Sequence, residues 1–251
     1  IFLCCGPIST AALLFRSNLI KSDKVVFKES QRFFLPIFNK KNIKNSTSQN
    51  KNVLSELYLE IYNEKLLSKS VHLQYYTFID IFLKPLEKFF GNYVYLLPKI
   101  LPFIFGRVNL LIGYLHSDYS NKIIMTSSPV DKSGKYQYSL SFEKNDLIND
   151  AIKKITSYLK ENLKEDFYIS NRLTNVNLTG ASYHYGSSFP MNNFENSLKD
   201  HTNLNGELQK GQNIFLLDAS ILPDMPGHPT TFNVCINAAR IVNNLNEEGR
   251  I

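Results

Sequence analysis

The sequence predicts a mixed α/β and α+β protein. The two ends of the chain are expected to form part of one α/β domain, and the middle a domain with an antiparallel sheet and flanking helices. Three patterns indicate this: apolar runs beside Gly, Pro and Ser at both ends, apolar–polar alternation after residue 120, and helical periodicity over 146–164. With 251 residues, 43% hydrophobic and 20% charged, the chain can bury a sizeable core.

The first residues predict a strand, a tight turn and a helix. Residues 1–5 are apolar, and Gly6 and Pro7 make the turn. Ser9 or Thr10 is the expected N-cap of the helix that follows. A buried strand leading directly into a helix is half of a βαβ unit. Because the chain opens in such a strand, without Met or a basic leader, we expect it to be a portion of a longer polypeptide.

The next stretch predicts a loop, a helix and a strand. Residues 39–52 are rich in Asn, Lys and Ser, which is typical of a surface loop. Apolar residues at helical spacing predict a helix over 53–67, and the run 71–82 predicts a strand entering a helix. Residues 93–115 are the most hydrophobic, but charged residues and prolines interrupt them. They predict a buried or membrane-touching segment rather than a span.

After residue 120 the pattern changes to strands. Residues 122–127 and 135–142 flank turn residues and predict a hairpin. In its second strand Tyr136, Tyr138, Leu140 and Phe142 alternate with polar residues, which predicts one buried face. A helix over 146–164, capped by Asn145, and a short strand over 167–173 follow.

Charge and cysteine usage narrow the class of protein. The net charge is +6, but the lysines are scattered rather than gathered in a stripe, so we expect no nucleic-acid partner. A weak attraction to anionic membranes remains an alternative. Cys4, Cys5 and Cys235 lie in apolar runs without zinc-binding spacing, so we expect buried thiols and no metal site. The expected location is a reducing, cytoplasmic compartment, with peripheral membrane contact as the alternative.

Two segments carry the chemistry. In 180–191, small residues and two glycines surround His184, which permits close approach of a ligand. In 213–231, an apolar strand ends in Asp218, and a Pro/Gly loop delivers His228 to a helix that starts near Thr230. The free N–H groups and the dipole at a helix start favour negative charge.

These segments resemble the C-terminal signature of the glucose-methanol-choline family of flavoprotein oxidoreductases. Residues 1–17 are similar to the family's other signature, an apolar strand, a turn and a helix ending in Arg-Ser. The resemblance covers roughly residues 1–18 and 180–251. Its matching residues are His184, Gly186, Met191, Gly206, Asp218, Ala219, Ser220, Pro223, His228, Pro229, Thr231, Ala238, Ala239 and Arg240.

The resemblance implies hydride transfer from the C–H of a small-molecule alcohol or sugar to FAD. It implies His184 as the base for the substrate hydroxyl and His228 as a hydrogen-bond partner of the same oxygen; imidazole is suited to proton transfer near neutral pH. The cofactor-binding residues that it implies are Gly6, Asp218, Ala219, Pro229, Thr230 and Thr231. No residue indicates the electron acceptor, and nothing indicates oxygen use, so a dehydrogenase is favoured over an oxidase.

The resemblance also implies a division of the chain. Residues 1–18 and 201–251 would be remnants of a Rossmann-like FAD domain, and 19–200 the substrate domain. The sequence departs from the family in two ways: Gly186 comes one residue early after His184, and no Gly-x-Gly-x-x-Gly occurs. We therefore expect a fragment inactive by itself. The alternative is a non-catalytic carbohydrate-binding or partner module, membrane-associated through 93–115.

Overall fold

The computed structural model describes residues 1–20, 22–41, 55, 57–78, 83–84, 87–129, 136–192, 201–208 and 213–251. The chain forms two compact units. Unit 1 comprises Ile1–Gln31, Leu115–Asp146 and Leu178–Ile251, and unit 2 comprises Arg32–Tyr114 and Leu147–Asn177. Both ends of the chain thus belong to unit 1. The assignment of 1–18, 19–200 and 201–251 to flavin and substrate domains stays a prediction.

Unit 1 contains a parallel strand pair, an antiparallel sheet and two longer helices. Its elements are β1 (Phe2–Leu3), α1 (Pro7–Arg16), β2 (Lys24–Glu29), β7 (Lys122–Pro129), β8 (Tyr136–Glu143), β11 (Tyr185–Gly186), β12 (Phe215–Leu216) and α6 (Thr231–Glu247). β1 runs parallel to β12, with Phe2 opposite Phe215. The antiparallel sheet has the order β11-β2-β7-β8. The mixed architecture predicted from the sequence is confirmed.

The start of α1 differs from the prediction. Gly6, with φ 83°, is the N-cap, Pro7 occupies the first turn, and no side chain caps the helix. Proline is suited to this position because its missing N–H would have no partner in the helix. Thr10 therefore lies inside the helix, fully buried, and its hydroxyl bonds elsewhere.

The core of unit 1 gathers apolar side chains from both ends of the chain and from the antiparallel sheet. Its fully buried members include Leu14, Phe27, Phe189, Leu216 and Ile241. The predicted hairpin is confirmed as β7 and β8, although its turn, 130–135, lies outside the described residues. The expectation for the faces of β8 was wrong, since Leu140 and Phe142 are exposed. The expected burial of the thiols was also wrong: all three cysteines are exposed.

Unit 2 is built on a six-stranded antiparallel sheet. Its strands are β3 (Arg32–Asn39), β4 (Leu57–Ile61), β5 (Val71–Thr77), β6 (Val108–Tyr114), β9 (Phe167–Ile169) and β10 (Asn175–Val176). Its helices are α2 (Glu87–Phe90), α3 (Leu97–Ile100), α4 (Pro102–Phe105) and α5 (Leu147–Asn162). β3 pairs with β6, which pairs with β5. The predicted helix over 146–164 is confirmed as α5, which buries Ile148, Ala151, Ile152, Ile155 and Leu159.

One prediction in unit 2 was wrong, and a second segment, 93–115, is divided into several elements, while its contact with a membrane stays a prediction. The helix expected over 53–67 is replaced by β4, which pairs with β5 so that Leu59 lies opposite Leu73; residues 53, 54 and 56 lie outside the described part. The segment 93–115 is not one amphipathic element. A 3-10 helix over Gly91–Leu96, then α3 and α4, precede β6. Pro98 and Pro102 lie in the first turns of α3 and α4, where a proline is tolerated, and each interrupts the helix before it. Among the described residues, no helix is long and apolar enough to cross a bilayer.

Candidate functional site

The first predicted histidine lies on a tightly bent segment of unit 1. His184 precedes β11, which pairs with β2, and its carbonyl accepts a hydrogen bond of 2.8 Å from the Ser30 amide. Tyr183 and Ser187 on either side have φ values of 62° and 52°. A bulky residue rarely adopts such a backbone, and strain of this kind is frequent at functional sites. The segment is therefore held in a defined, costly conformation.

A buried carboxylate holds the segment that leads to His184. Glu29 is completely buried, and its oxygens accept hydrogen bonds of 2.9 and 3.0 Å from the Gly180 amide and a further one from the Ser182 hydroxyl. Sequence reasoning missed this residue. The available signal was its place in β2, where Val25, Phe27 and Glu29 alternate on the buried face. A charged residue at a core position of a strand indicates a bonded, positional role.

The end of the first predicted motif pairs with a short stretch of the second. The amides of Ser187, Phe189 and Met191 donate to the carbonyls of residues 219, 220 and 221 over 2.9, 2.8 and 2.9 Å. A Cβ atom on Gly186 would lie 2.4 Å from the carbonyl oxygen of Ala219. Glycine is therefore required where the segment after His184 meets the loop that leads towards His228.

Asp218 joins the N-terminal strand–turn–helix to the second motif. One carboxylate oxygen accepts from the Gly6 amide at 3.0 Å and the Thr10 hydroxyl at 2.6 Å, and the other accepts from the Ser220 amide at 2.9 Å. Asp218 is buried. Two predicted cofactor residues, Gly6 and Asp218, thus contact each other, and the carboxylate bonds to protein donors.

His228 lies at the entrance to α6. It is half-buried, and its Nδ1 lies 3.5 Å from the carbonyl oxygen of Pro229. Thr230 is the N-cap residue of the 17-residue helix and provides no side-chain cap, and Thr231 is exposed. The first-turn amides of α6 therefore have no side-chain acceptor at the cap, which is a suitable arrangement for an anionic group.

A cavity of about 390 Å³ opens beside the first motif. Ser187 and Ser188 line it together with Lys24, Lys28, Lys122 and His201, and neither His184 nor His228 does. All eight predicted site residues belong to unit 1. The convergence of the two imidazoles on one substrate atom stays a prediction.

The first two turns of α6 expose apolar side chains. Ile241 and Leu245 are buried in the core of unit 1, while Phe232, Cys235 and Ile236, near the start of the helix, form an exposed stripe at helical spacing. Exposed apolar residues that are neighbours on a helix indicate a surface that another element covers. Phe2 in the neighbouring parallel pair is also exposed, although parallel sheets normally have both faces covered.

Comparison with known proteins shows a likeness of fold. A scan of family models and a search of curated proteins give no match. Among 65 matching chains of solved structures is pyridoxine 4-oxidase from Mesorbium loti, with a TM-score of 0.59 and 12% sequence identity. The match covers 98% of this chain and 51% of that chain. The chain therefore shares the fold of about half of that oxidase.

Proposed function

We propose that this chain is the catalytic part of a flavin-dependent oxidoreductase that acts on a CH–OH group of an alcohol or sugar. The observation that carries the proposal is the pairing of the two motifs, in which Ser187, Phe189 and Met191 bond to the segment that starts at Ala219. The motifs are those in which the sequence resembles glucose-methanol-choline oxidoreductases. The likeness to half of a solved oxidase supports the same class.

In this proposal the two imidazoles have different roles. His184 accepts the proton of the substrate hydroxyl, and His228 hydrogen-bonds the same oxygen. The strained backbone around His184 and the buried Glu29 below its loop would hold the base in a fixed orientation. Fixed orientation is what a general base requires, because proton transfer depends on hydrogen-bond geometry.

The residues at the start of α6 fit one end of a flavin. The amides at Thr230 and Thr231, at the uncapped start of α6, suit the negative charge of a reduced flavin ring, and Pro229 directly precedes them. Ala219, ten residues before Pro229, is assigned to the cofactor by the resemblance alone. FAD, when bound there, would supply the hydride acceptor. Asp218 fits less directly, since its carboxylate already holds Gly6 and Thr10; we infer that it shapes the turn at Gly6 and presents that backbone to the cofactor.

The rest of the FAD site would come from further polypeptide. The parallel sheet β1–β12 has two strands. The exposed apolar stripe of α6 belongs to the same unit. Such a pair is normally part of a larger covered sheet. A segment with a glycine-rich pyrophosphate loop would complete both the sheet and the dinucleotide site.

The proposal is tested on the complete gene product. We expect it to contain flavin and to reduce a dye or oxygen with a panel of alcohols and sugars; the two acceptors distinguish a dehydrogenase from an oxidase. His184→Ala and His228→Ala should each lower kcat at least about 100-fold, the lower end of the usual contribution of general acid–base catalysis, and retain bound flavin. His72→Gln, in unit 2 and outside both motifs, is the control, with circular dichroism as the check on its folding.

Two results would reject the proposal. Unchanged turnover in both histidine variants would remove the assigned roles. A well-folded complete product without flavin would favour the non-catalytic partner or carbohydrate-binding module.

A further inference from the structure

Unit 2 carries a concentrated set of exposed apolar side chains, which we name the apolar patch. Its members are between 42% and 79% exposed and lie within fifteen residues of sequence: Phe90, Tyr93, Leu96, Ile100, Leu101, Phe103 and Ile104. Single exposed apolar residues are common on soluble proteins, but a cluster of this size marks an interaction site. The proposed oxidoreductase chemistry, which uses residues of unit 1, does not account for it.

The spacing of these residues places them on one side of the short helices. Tyr93, Leu96 and Ile100 follow one another at intervals of three and four residues, which is the repeat of one helical face. Val94 and Pro98, also four residues apart, are buried instead, and Val94 packs with Phe78 and Leu83 in a small cluster. One side of the segment packs against this cluster, and the other side is exposed to solvent.

The charges around the patch are mainly positive. Residues 83–107 contain four basic residues, Lys84, Lys88, Lys99 and Arg107, and one acidic residue, Glu87. The carboxylate of Glu87 accepts a hydrogen bond from the Tyr95 hydroxyl. The guanidinium of Arg107 lies 4.2 Å from the centre of the Phe103 ring. Exposed apolar and aromatic side chains with flanking cations are the composition of surfaces that sit at the interface of an anionic bilayer.

We propose that the apolar patch docks unit 2 onto membranes that contain anionic lipids. Tyr93, Phe103 and Ile104 enter the region between headgroups and acyl chains, and Lys99 with Arg107 contacts lipid phosphates. The helices have four to six residues each, so the segment lies along the interface and does not cross the bilayer. The positive charge favours a lipid surface over a purely apolar protein partner, which would gain nothing from these cations.

The absence of Trp from the sequence allows a direct measurement. Tyr93→Trp introduces one indole into the patch, and Tyr62→Trp, at another exposed tyrosine of unit 2, is the matched control. With vesicles of phosphatidylcholine and phosphatidylserine we expect a blue shift of emission and quenching by lipids brominated on their acyl chains for Tyr93→Trp only. Phosphatidylcholine vesicles alone should bind more weakly, and added salt should weaken binding.

Substitutions then test the patch itself by vesicle co-sedimentation. Replacing Ile100, Phe103 and Ile104 with Asn should lower the partition coefficient at least about tenfold, since each side chain loses apolar burial. Replacing the exposed Leu140, Phe142 and Leu178 of unit 1 with Asn is the matched control. Circular dichroism checks folding. If the triple variant does not fold, Lys99→Glu should reduce binding to anionic vesicles and leave binding to neutral ones unchanged.

Three results would overturn the proposal: an unshifted Tyr93→Trp spectrum with anionic vesicles, a triple variant that binds as the native chain does, or a self-association that the triple variant abolishes without any vesicle binding. The last would show that a second copy covers the patch.

Discussion

Replacement of Asp218 by Ala tests whether the carboxylate holds the two ends of unit 1 together. The change removes the acceptor of three donors, the Gly6 amide, the Thr10 hydroxyl and the Ser220 amide. Thr10 and Ser220 are completely buried, so water cannot replace the carboxylate there without opening the structure. Gly6 is only half-buried, and its amide can be hydrated.

The expected loss of stability follows from how deeply each of these donors is buried. A buried donor left without a partner costs about 1–3 kcal/mol. With two such donors and partial relaxation, Asp218→Ala should lower the free energy of unfolding by about 3–4 kcal/mol. Asp218→Asn keeps one acceptor oxygen and should cost about 1–2 kcal/mol. Thr10→Val removes a single bond and should also cost about 1–2 kcal/mol.

The assay is urea unfolding of the full chain, with hydrogen exchange of the Ser220 amide as a local probe. Because the donors share one acceptor, Thr10→Val should be neutral or stabilising when Asp218 is already Ala. Asp224→Asn is the control: that carboxylate forms a surface ion pair with Lys28 and should contribute at most about 1 kcal/mol. The reasoning is refuted if Asp218→Ala unfolds like the control, or if its effect and that of Thr10→Val simply add.

Three further predictions concern the same unit. Glu29→Gln should lower the free energy of unfolding by about 1–3 kcal/mol, because a buried acceptor of hydrogen bonds is lost. If an exposed Glu→Gln substitution lowers the free energy of unfolding as much, Glu29 does not hold the segment that leads to His184. Gly186→Ala should cost at least about 1–3 kcal/mol in thermal unfolding, because its Cβ would meet the Ala219 carbonyl. Burial raises the pKa of Glu207, but hydrogen bonds, chiefly from Arg250, outweigh it and hold the pKa below the ordinary 4.5. This stabilisation is present above pH 4.5 and lost as the pH falls through the native pKa, so Glu207→Gln should cost less at pH 3 than at pH 7.

Elements with strong local signals could be predicted from the sequence. The helix α5 has a clear apolar stripe, and β7 and β8 are short alternating runs beside turn residues. The helix expected over 53–67 was wrong because Leu57, Leu59 and Ile61 also fit a two-residue period. Pairing with β5 selects the two-residue period of a strand over the helical period. A strand partner elsewhere in the chain cannot be recognised from the residues of β4 alone.

The candidate site shows the same limit. Both motifs could be found because their residue types and order are specific, and both belong to unit 1. The partners of their side chains could not: nothing local indicates that Asp218 bonds Thr10 or that Glu29 bonds Ser182. Contacts between residues more than 150 positions apart depend on the fold, and a single sequence does not record them.

The pairing of β1 with β12 sets an order of events during synthesis. The partner of β1 is made more than 200 residues later in the chain, because Phe2 pairs with Phe215 and Leu3 with Leu216. Unit 2 is encoded entirely within Arg32–Asn177 and can complete its sheet while that partner is still unmade. The pairing of β1 with β12 therefore cannot form until Phe215–Leu216 has emerged, and until then the apolar residues of β1 stay accessible to chaperones.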